Sequence, residues 1–160
     1  MQLLMIRHSY AADPGSVPGG DFERPLTERG RQVFAQMASW LSGRGIVPER
    51  ILYSPLIRAK QTAEILAEAS RQELLPENAR PWIGSSLPVD RLLTELNDTA
   101  AESIAIIGHE PRISSCTSAL VAGGRMRFFP ATIACVSFDG AIREGQGVLD
   151  WLLSPKQFFG

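Results

Sequence analysis

Four short apolar runs constrain most strongly how this chain can fold, and three of them are nearly continuous. They lie at residues 3–7, 50–53, 103–107 and 133–138. Unbroken apolar runs are typical of strands covered on both faces, because alternation with polar residues is needed only where one face meets water. We therefore expect these runs to form the strands of a buried central sheet.

Helical patterns fill the segments between these strands. Residues 28–41 carry an apolar stripe at helical spacing, with Thr27 as a plausible N-cap. The Ser54-Pro55 pair predicts the start of a second helix that runs to about residue 69. Two further helices are predicted over residues 88–96 and 111–121.

The order of these elements predicts the fold class. Strands that alternate with helices favour a three-layer α/β/α sandwich with a mostly parallel central sheet and right-handed crossovers. The tail at 132–153 is typical of two strands joined by a turn-rich segment, so we expect an antiparallel C-terminal edge. The length of 160 residues suits one domain over 1–160. In such folds ligands bind beyond the carboxyl ends of the strands.

Composition excludes several classes of partner. The formal net charge is −1, so no global field attracts nucleic acid or anionic lipid. No apolar run approaches the roughly 20 residues that span a bilayer. The first ten residues also lack the basic start and cleavage site of a secretory signal. We expect a monomeric cytoplasmic protein with no membrane or nucleic-acid partner.

Both histidines of the chain follow a predicted strand directly. His8 comes after the strand at 3–7 and is preceded by Arg7, while His109 comes after the strand at 103–107 and Gly108. The strand at 50–53 is followed by Ser54 and, one helical turn later, by Arg58. A single histidine in such a place is usually structural. Two histidines and two arginines at one sheet edge form a candidate site instead.

This set of side chains suits phosphoryl transfer. The phosphoryl group in flight spreads charge over three equatorial oxygens, and the guanidinium groups of Arg7 and Arg58 can donate several N–H groups to them. One histidine can act as a nucleophile if a neighbour holds its other ring nitrogen. The second can donate to an oxygen as charge develops.

Several motifs resemble those of the histidine phosphatase superfamily, and they occur in the family's order along essentially the whole chain. The segment LMIRHS at 4–9 resembles its Arg-His-Gly signature, and SPLIRAKQTA at 54–63 closely resembles its second block. Gly108-His109 resembles the third block. RPLT at 24–27 and WLLSP at 151–155 resemble the short SixA branch, the phosphohistidine phosphatases.

The resemblance implies roles for individual residues. His8 would be the phosphorylated nucleophile, with Arg7, Arg58 and His109 holding the phosphoryl group. Ser9 and Arg24 are weaker candidates for phosphate contacts. The family implies no metal and no other cofactor, and the sequence contains no paired-histidine or cysteine ligand motif.

Two features depart from the family pattern. Ser9 stands where the signature usually has glycine, and serine would be strained there only if the backbone needed a positive φ. Larger relatives use a carboxylic acid between the second and third blocks, yet residues 82–88 contain none. Asp90 and Glu110 remain candidates for a general acid, each with a structural alternative.

The absent acid bears on the substrate. Cleavage of an alkyl phosphate expels an alkoxide, which is a poor leaving group, so a proton donor raises the rate by about 10²–10⁴-fold. The nitrogen of phosphohistidine can leave already protonated.

The chain also lacks room for the insertions that form a lid in larger relatives, and an open pocket suits a phosphorylated side chain on another protein. We therefore expect a metal-independent phosphatase that works through phosphohistidine on the enzyme and acts on histidine-phosphorylated protein. The alternatives are a phosphatase of small phosphate monoesters and a non-catalytic phosphate-binding module.

Overall fold

Five strands form one sheet with helices on both faces, and the computed structural model describes residues 1–159. The strands are β1 (Gln2–Arg7), β2 (Arg50–Tyr53), β3 (Ser103–Gly108), β4 (Ile133–Ser137) and β5 (Val148–Leu153). The helices are α1 (Gly20–Glu23), α2 (Glu28–Ser42), α3 (Ile57–Ala69), α4 (Pro81–Ser85), α5 (Val89–Asn97), α6 (Arg112–Leu120) and α7 (Pro155–Phe159). A single 3₁₀ turn covers Pro76–Asn78.

The strand order is β2-β3-β1-β4-β5, with β1 at the centre. β1 pairs in parallel with β3, and β3 pairs in parallel with β2. On its other side β1 pairs antiparallel with β4, which pairs antiparallel with β5 at the edge. The predicted α/β sandwich, with parallel strands and an antiparallel C-terminal edge, is confirmed.

Alternation along the central strand divides the core into two layers. Leu3 and Met5 of β1 face a cluster that includes side chains of α4, α5 and α6. Leu4 and Ile6 face a second cluster, built with α2 and α3. These side chains of β1 are essentially inaccessible to water, and burying each stabilises the fold by about 1.5–3 kcal/mol. A continuous apolar run is therefore what this strand needs.

The long helices lie where their patterns predicted them, with one correction. The Thr27 side chain accepts a hydrogen bond from the Gly30 amide at 3.0 Å and caps α2 as expected. The helix expected from Ser54 begins at Ile57 instead, with Leu56 at the N-cap position. Ser54 is buried and does not cap this helix, because its hydroxyl lies within hydrogen-bond distance of His109.

The topology brings three strand ends to one edge of the sheet. The His8 amide donates to the Gly108 carbonyl at 3.0 Å, and the Ser54 amide donates to the Ile107 carbonyl at 3.0 Å. His8, Ser54 and His109 thus follow neighbouring strands in register. Within residues 1–159, no helix has the length and apolar character needed to cross a bilayer.

Candidate active site

The two histidines and Arg58 meet in a buried cluster at this edge. The ring centroids of His8 and His109 are 5.0 Å apart. Arg58 Nε lies 3.2 Å from His8 Nε2. His8, Arg58 and His109 are only 7%, 6% and 5% exposed, so they are polar side chains withdrawn from water. Buried polar groups of this kind are costly unless the fold or a ligand satisfies them.

The hydrogen bonds of His8 define which ring nitrogen carries the proton. Nδ1 lies 2.7 Å from the Ser9 carbonyl oxygen, which can only accept, so Nδ1 must be the N–H donor. Nε2 accepts the Arg58 Nε–H and therefore carries the lone pair. A neutral imidazole fixed in this tautomer presents Nε2 as a nucleophile.

Burial holds both rings in the neutral form. Desolvation and the neighbouring His109 lower the pKa of His8 from 6.5 to about 3. Desolvation and the charge of Arg58 lower the pKa of His109 from 6.5 to about 4. The lone pair of His8 is therefore available throughout the neutral and mildly acidic range.

We expect that neither histidine titrates near pH 6.5 in the folded protein. The chain has only 2 histidines, so their ring resonances can be followed by NMR without ambiguity. The unfolded chain takes up both protons near pH 6.5, whereas the folded chain takes them up only near pH 4 at His109 and near pH 3 at His8. The free energy of unfolding therefore falls as the pH drops from about 6.5 to about 3. A ring resonance with its midpoint near pH 6.5 would contradict this expectation.

Ser54 orients the second histidine. Its hydroxyl lies 2.7 Å from His109 Nε2 and accepts a hydrogen bond from the Leu56 amide at 3.3 Å. The hydroxyl can donate its proton to Nε2, and in that tautomer the N–H of His109 is on Nδ1. That Nδ1 is buried and has no hydrogen-bond partner in the described part of the chain. It is a donor available to an oxygen that enters the site.

Unpartnered buried polar atoms concentrate around this cluster. Four side chains in residues 1–159 have such an atom: Arg7 Nε, Arg24 Nε, His109 Nδ1 and Thr132 Oγ1. Thr132 is next to the site as well, since its carbonyl accepts from the Arg7 amide at 3.0 Å. Native structures rarely leave such groups unsatisfied without a reason. A tetrahedral oxyanion would supply acceptors to the nitrogens among them.

Arg7 directly precedes His8 and is anchored by a hydrogen bond of its own. Its Nη1 donates to the Phe128 carbonyl at 2.7 Å. Burial lowers the pKa of the guanidinium, and the charge of Glu110 partly offsets that effect. A guanidinium with one nitrogen anchored and another unpaired is ready to bind an anion.

Asp21 is the site residue that the sequence did not reveal. Arg58 Nη2 donates to its carboxylate at 2.9 Å, and Arg58 Nη1 donates to its backbone carbonyl at 2.6 Å. The residue lies on α1, at the end of a Gly- and Pro-rich segment over 13–21. Burial opposes its ionisation, but the hydrogen bond and charge of Arg58 lower the pKa of Asp21 below its usual value. Its carboxylate therefore occupies donors that a phosphoryl oxygen would use.

Replacing Asp21 by asparagine should tighten the binding of inorganic phosphate by about twofold to fivefold, because an exposed ion pair is worth roughly 0.2–1 kcal/mol. The Asp21 side chain is 61% exposed and Arg58 only 7%, so the variant leaves the buried guanidinium without its counter-charge and open to an incoming anion. The measurement is the competitive inhibition constant of phosphate against an aryl phosphate. Glu23→Gln, on the same short helix, is the matched control. Weaker phosphate binding in Asp21→Asn would mean that the carboxylate orders Arg58 for its ligand.

The two weaker candidates occupy different positions. Arg24 lies at the rim, where its Nη1 pairs with the Asp21 carboxylate at 3.1 Å. Ser9 is fully buried, and its hydroxyl donates to the Gly30 carbonyl at 2.7 Å. The idea that this hydroxyl contacts phosphate is therefore corrected: it ties β1 to the start of α2. The φ of Ser9 is not positive, so serine is accommodated here without strain.

The variant Ser9→Gly should keep its turnover within about threefold and lose roughly 1 kcal/mol of stability. The stability loss reflects the hydrogen bond to Gly30 and the greater freedom of glycine in the unfolded chain. Denaturant unfolding and steady-state assays measure the two effects separately. A tenfold or larger fall in turnover with normal stability would place the hydroxyl in catalysis.

Neither candidate acid is placed as an evident proton donor. Asp90 is exposed on the first turn of α5, and its carboxylate forms no hydrogen bond or ion pair within residues 1–159. The Glu110 carboxylate accepts from the Ser114 hydroxyl at 2.6 Å and from the Ser114 amide at 3.3 Å. It thus binds the first turn of α6.

In the same described range, no group of three or more His, Cys, Asp or Glu side chains is arranged to hold a metal ion.

Known proteins with similar sequences and structures were identified in three comparisons. Residues 3–79 match the family model of the histidine phosphatase superfamily, branch 1. The chain is 34% identical over 161 residues to the phosphohistidine phosphatase SixA of Escherichia coli K12, covering 97% of this chain and 94% of that protein. It is 31% identical over 153 residues to the SixA homolog of Haemophilus influenzae, covering 88% and 90%. A solved structure of the protein histidine phosphatase SixA with tungstate superposes with a TM-score of 0.84 at 29% identity, over 99% of each chain.

Proposed function

The chain belongs to the histidine phosphatase superfamily, in its SixA-like branch, and on that premise we propose that it is a metal-independent phosphatase that removes the phosphoryl group from phosphohistidine on a protein. One observation carries the proposal above the others. His8 is a neutral, buried imidazole whose Nε2 carries the lone pair and accepts only the hydrogen bond from Arg58 Nε, because Nδ1 donates to the Ser9 carbonyl.

The reaction divides into two displacements at phosphorus. His8 Nε2 first attacks the phosphorus, and the bond to the substrate nitrogen breaks with its electron pair going to that nitrogen. The substrate imidazole is protonated on its other ring nitrogen, so it leaves as a neutral imidazole. Water then attacks the phosphoenzyme, breaks the bond to Nε2 and yields inorganic phosphate and neutral His8. Both transition states place negative charge on the three equatorial oxygens.

The surrounding side chains match that charge. Arg7 and Arg58 are cations whose charges both act on His8, and His109 Nδ1 is a neutral donor. Because these groups are largely buried, their interaction with developing charge is stronger than it would be in water. Arg7 Nε and His109 Nδ1 have no partner within residues 1–159 and are ready for a phosphoryl oxygen, whereas Arg58 must exchange the Asp21 carboxylate for it.

The likeness to SixA supports phosphohistidine as the substrate, and the chemistry of the site agrees. Neither Glu110 nor Asp90 is presented to the two rings as a donor, which disfavours poor leaving groups such as alkoxides. A protonated imidazole is a much better leaving group than an alkoxide. The small-ester alternative needs a proton donor, and the carboxyl group that does contact the cluster, Asp21, is a poor one because Arg58 lowers its pKa.

The test compares three phosphorylated substrates on one enzyme preparation: a phosphohistidine protein, an aryl phosphate and an alkyl phosphomonoester. We expect kcat/KM to be highest for the phosphohistidine protein and at least about 100-fold lower for the alkyl ester. Comparable rates for the alkyl ester would favour the small-ester function. Tight phosphate binding with no turnover of any substrate would favour a non-catalytic module.

A further inference from the structure

A polar groove opens beside the active site between α6 and the loop at 122–127. Its volume is about 800 Å³, which is within the range of roughly 300–1,000 Å³ that ligand sites occupy. One wall carries Ser114 and Ser118 of α6, and the other carries Arg125 and Arg127. We refer to it as the α6 groove.

The α6 groove lies next to the candidate active site, because residues on both of its walls adjoin site residues in the chain. Glu110, which lines the groove, directly follows His109. Arg127, on the loop wall, directly precedes Phe128, whose carbonyl accepts the hydrogen bond from Arg7 Nη1. The groove is therefore placed to receive a chain segment that flanks a phosphorylated side chain in the site.

The charge of the groove is positive and not neutralised within it. Arg125 and Arg127 are exposed, and neither takes part in an ion pair among residues 1–159. The Glu110 carboxylate is held by Ser114 on the opposite wall. Arg112, at the start of α6, adds a charge close enough to lower the pKa of His109. This side of the molecule is locally basic although the whole chain has a net charge of −1.

We propose that the α6 groove binds an acidic segment that flanks the phosphohistidine of the protein substrate. The inference rests on the proposed function and adds to it the charge of the partner. The guanidinium groups of Arg125 and Arg127 can each bind a carboxylate through two parallel hydrogen bonds. A small phosphate ester would not reach them. Because the chain has almost no net charge, local pairing of this kind is the electrostatic means by which it can select an acidic partner.

The test uses synthetic phosphohistidine peptides of equal length with acidic, neutral or basic residues beside the phosphohistidine. Acidic residues are placed on either side in separate peptides. At low salt we expect kcat/KM for one acidic peptide to exceed that for the neutral peptide by about tenfold, and the basic peptide to be the poorest. At ~0.5 M salt the preference should largely disappear, since screening then acts over a few ångströms.

Three double variants locate the effect, and the two with glutamate change the net charge by the same amount. Arg125→Glu with Arg127→Glu should abolish or invert the preference, and Arg125→Gln with Arg127→Gln should abolish it. Arg31→Glu with Arg143→Glu changes two exposed arginines outside the groove and should retain it. The ratio of acidic to neutral kcat/KM is measured within each variant, so a general loss of folded protein does not alter it.

The failures of the two proposals are distinguishable. Hydrolysis of all peptides at similar rates, or a preference that survives in both groove variants, overturns the docking role and leaves the phosphatase function standing. Loss of the preference in the control variant as well also overturns the docking role. Turnover of an aryl phosphate with none of any phosphohistidine peptide overturns the proposed substrate, and the docking role with it.

Discussion

Replacing His8 by alanine should lower turnover of an aryl phosphate and of a phosphohistidine protein by at least about 10⁴-fold, because loss of a nucleophile removes the covalent route altogether. The wild-type enzyme should accumulate a phosphoenzyme on brief exposure to an aryl phosphate, and the variant should form none. Intact mass after an alkaline quench measures this, since the phosphorus–nitrogen bond is lost in acid.

A structural effect of the substitution can be separated from a chemical one. His8 is buried and anchored to Ser9 and Arg58, so its removal also perturbs packing. His8→Asn keeps a polar side chain of intermediate size and should fold while forming no phosphoenzyme. Phosphate binding, measured by calorimetry, should survive in a folded variant because Arg7 and Arg58 remain. Turnover of His8→Ala or His8→Asn near the wild-type rate would exclude His8 as the nucleophile.

The strand ends of this site could be predicted because each strand is a local apolar run, and because the alternation of strands with helices predicts a parallel sheet. His8 and His109 each follow a strand that is covered on both faces, and parallel neighbours bring their carboxyl ends together. The arginine at 58 was placed correctly by helical spacing even though the helix starts later than expected. The error arose at Ser54, where a residue that often caps helices is used by His109 instead.

The remaining features depend on contacts between distant parts of the chain. Asp21 and Arg58 are 37 residues apart, and nothing in either local sequence indicates their pairing. Helix α1 has 4 residues and α4 has 5, too short to show helical periodicity. The role of Ser9 was open for the same reason, since its partner Gly30 lies 21 residues away on α2. Sequence patterns identified the cationic groups and missed the acceptors that hold them.

Replacing Arg58 by alanine should reduce kcat/KM by about 10³-fold, as for other arginines that stabilise a transferring phosphoryl group. Three of its nitrogens lie at the site: Nε on His8, and Nη1 and Nη2 on Asp21. The substitution therefore removes both a cation beside the phosphorus and the donor that orients the attacking nitrogen. Arg58→Lys should recover little, because an ammonium group cannot reproduce the planar fork of donors.

We do not expect a loss of folded protein to explain the fall in kcat/KM of Arg58→Ala. Burial lowers the pKa of Arg58, which shows that the folded protein holds this cation at a cost that Asp21 only partly offsets. Removing Arg58 leaves the Asp21 carboxylate free to be solvated. The free energy of unfolding of Arg58→Ala should therefore lie within about 2 kcal/mol of the wild-type value. Asp21→Asn keeps the arginine and isolates the effect of losing its partner.

Measuring phosphate binding and phosphoenzyme formation separately distinguishes two roles for Arg58. If the guanidinium contacts the phosphoryl group, Arg58→Ala should weaken phosphate binding and lower kcat, and phosphoenzyme formation in a single turnover should slow with it. If Arg58 only orients His8, phosphate binding should be unchanged while phosphoenzyme formation slows. Retention of kcat/KM within tenfold in a folded Arg58→Ala protein would contradict both roles. We expect the first outcome, because an arginine at 6% exposure whose donors are occupied by a carboxylate already binds an anion in this structure.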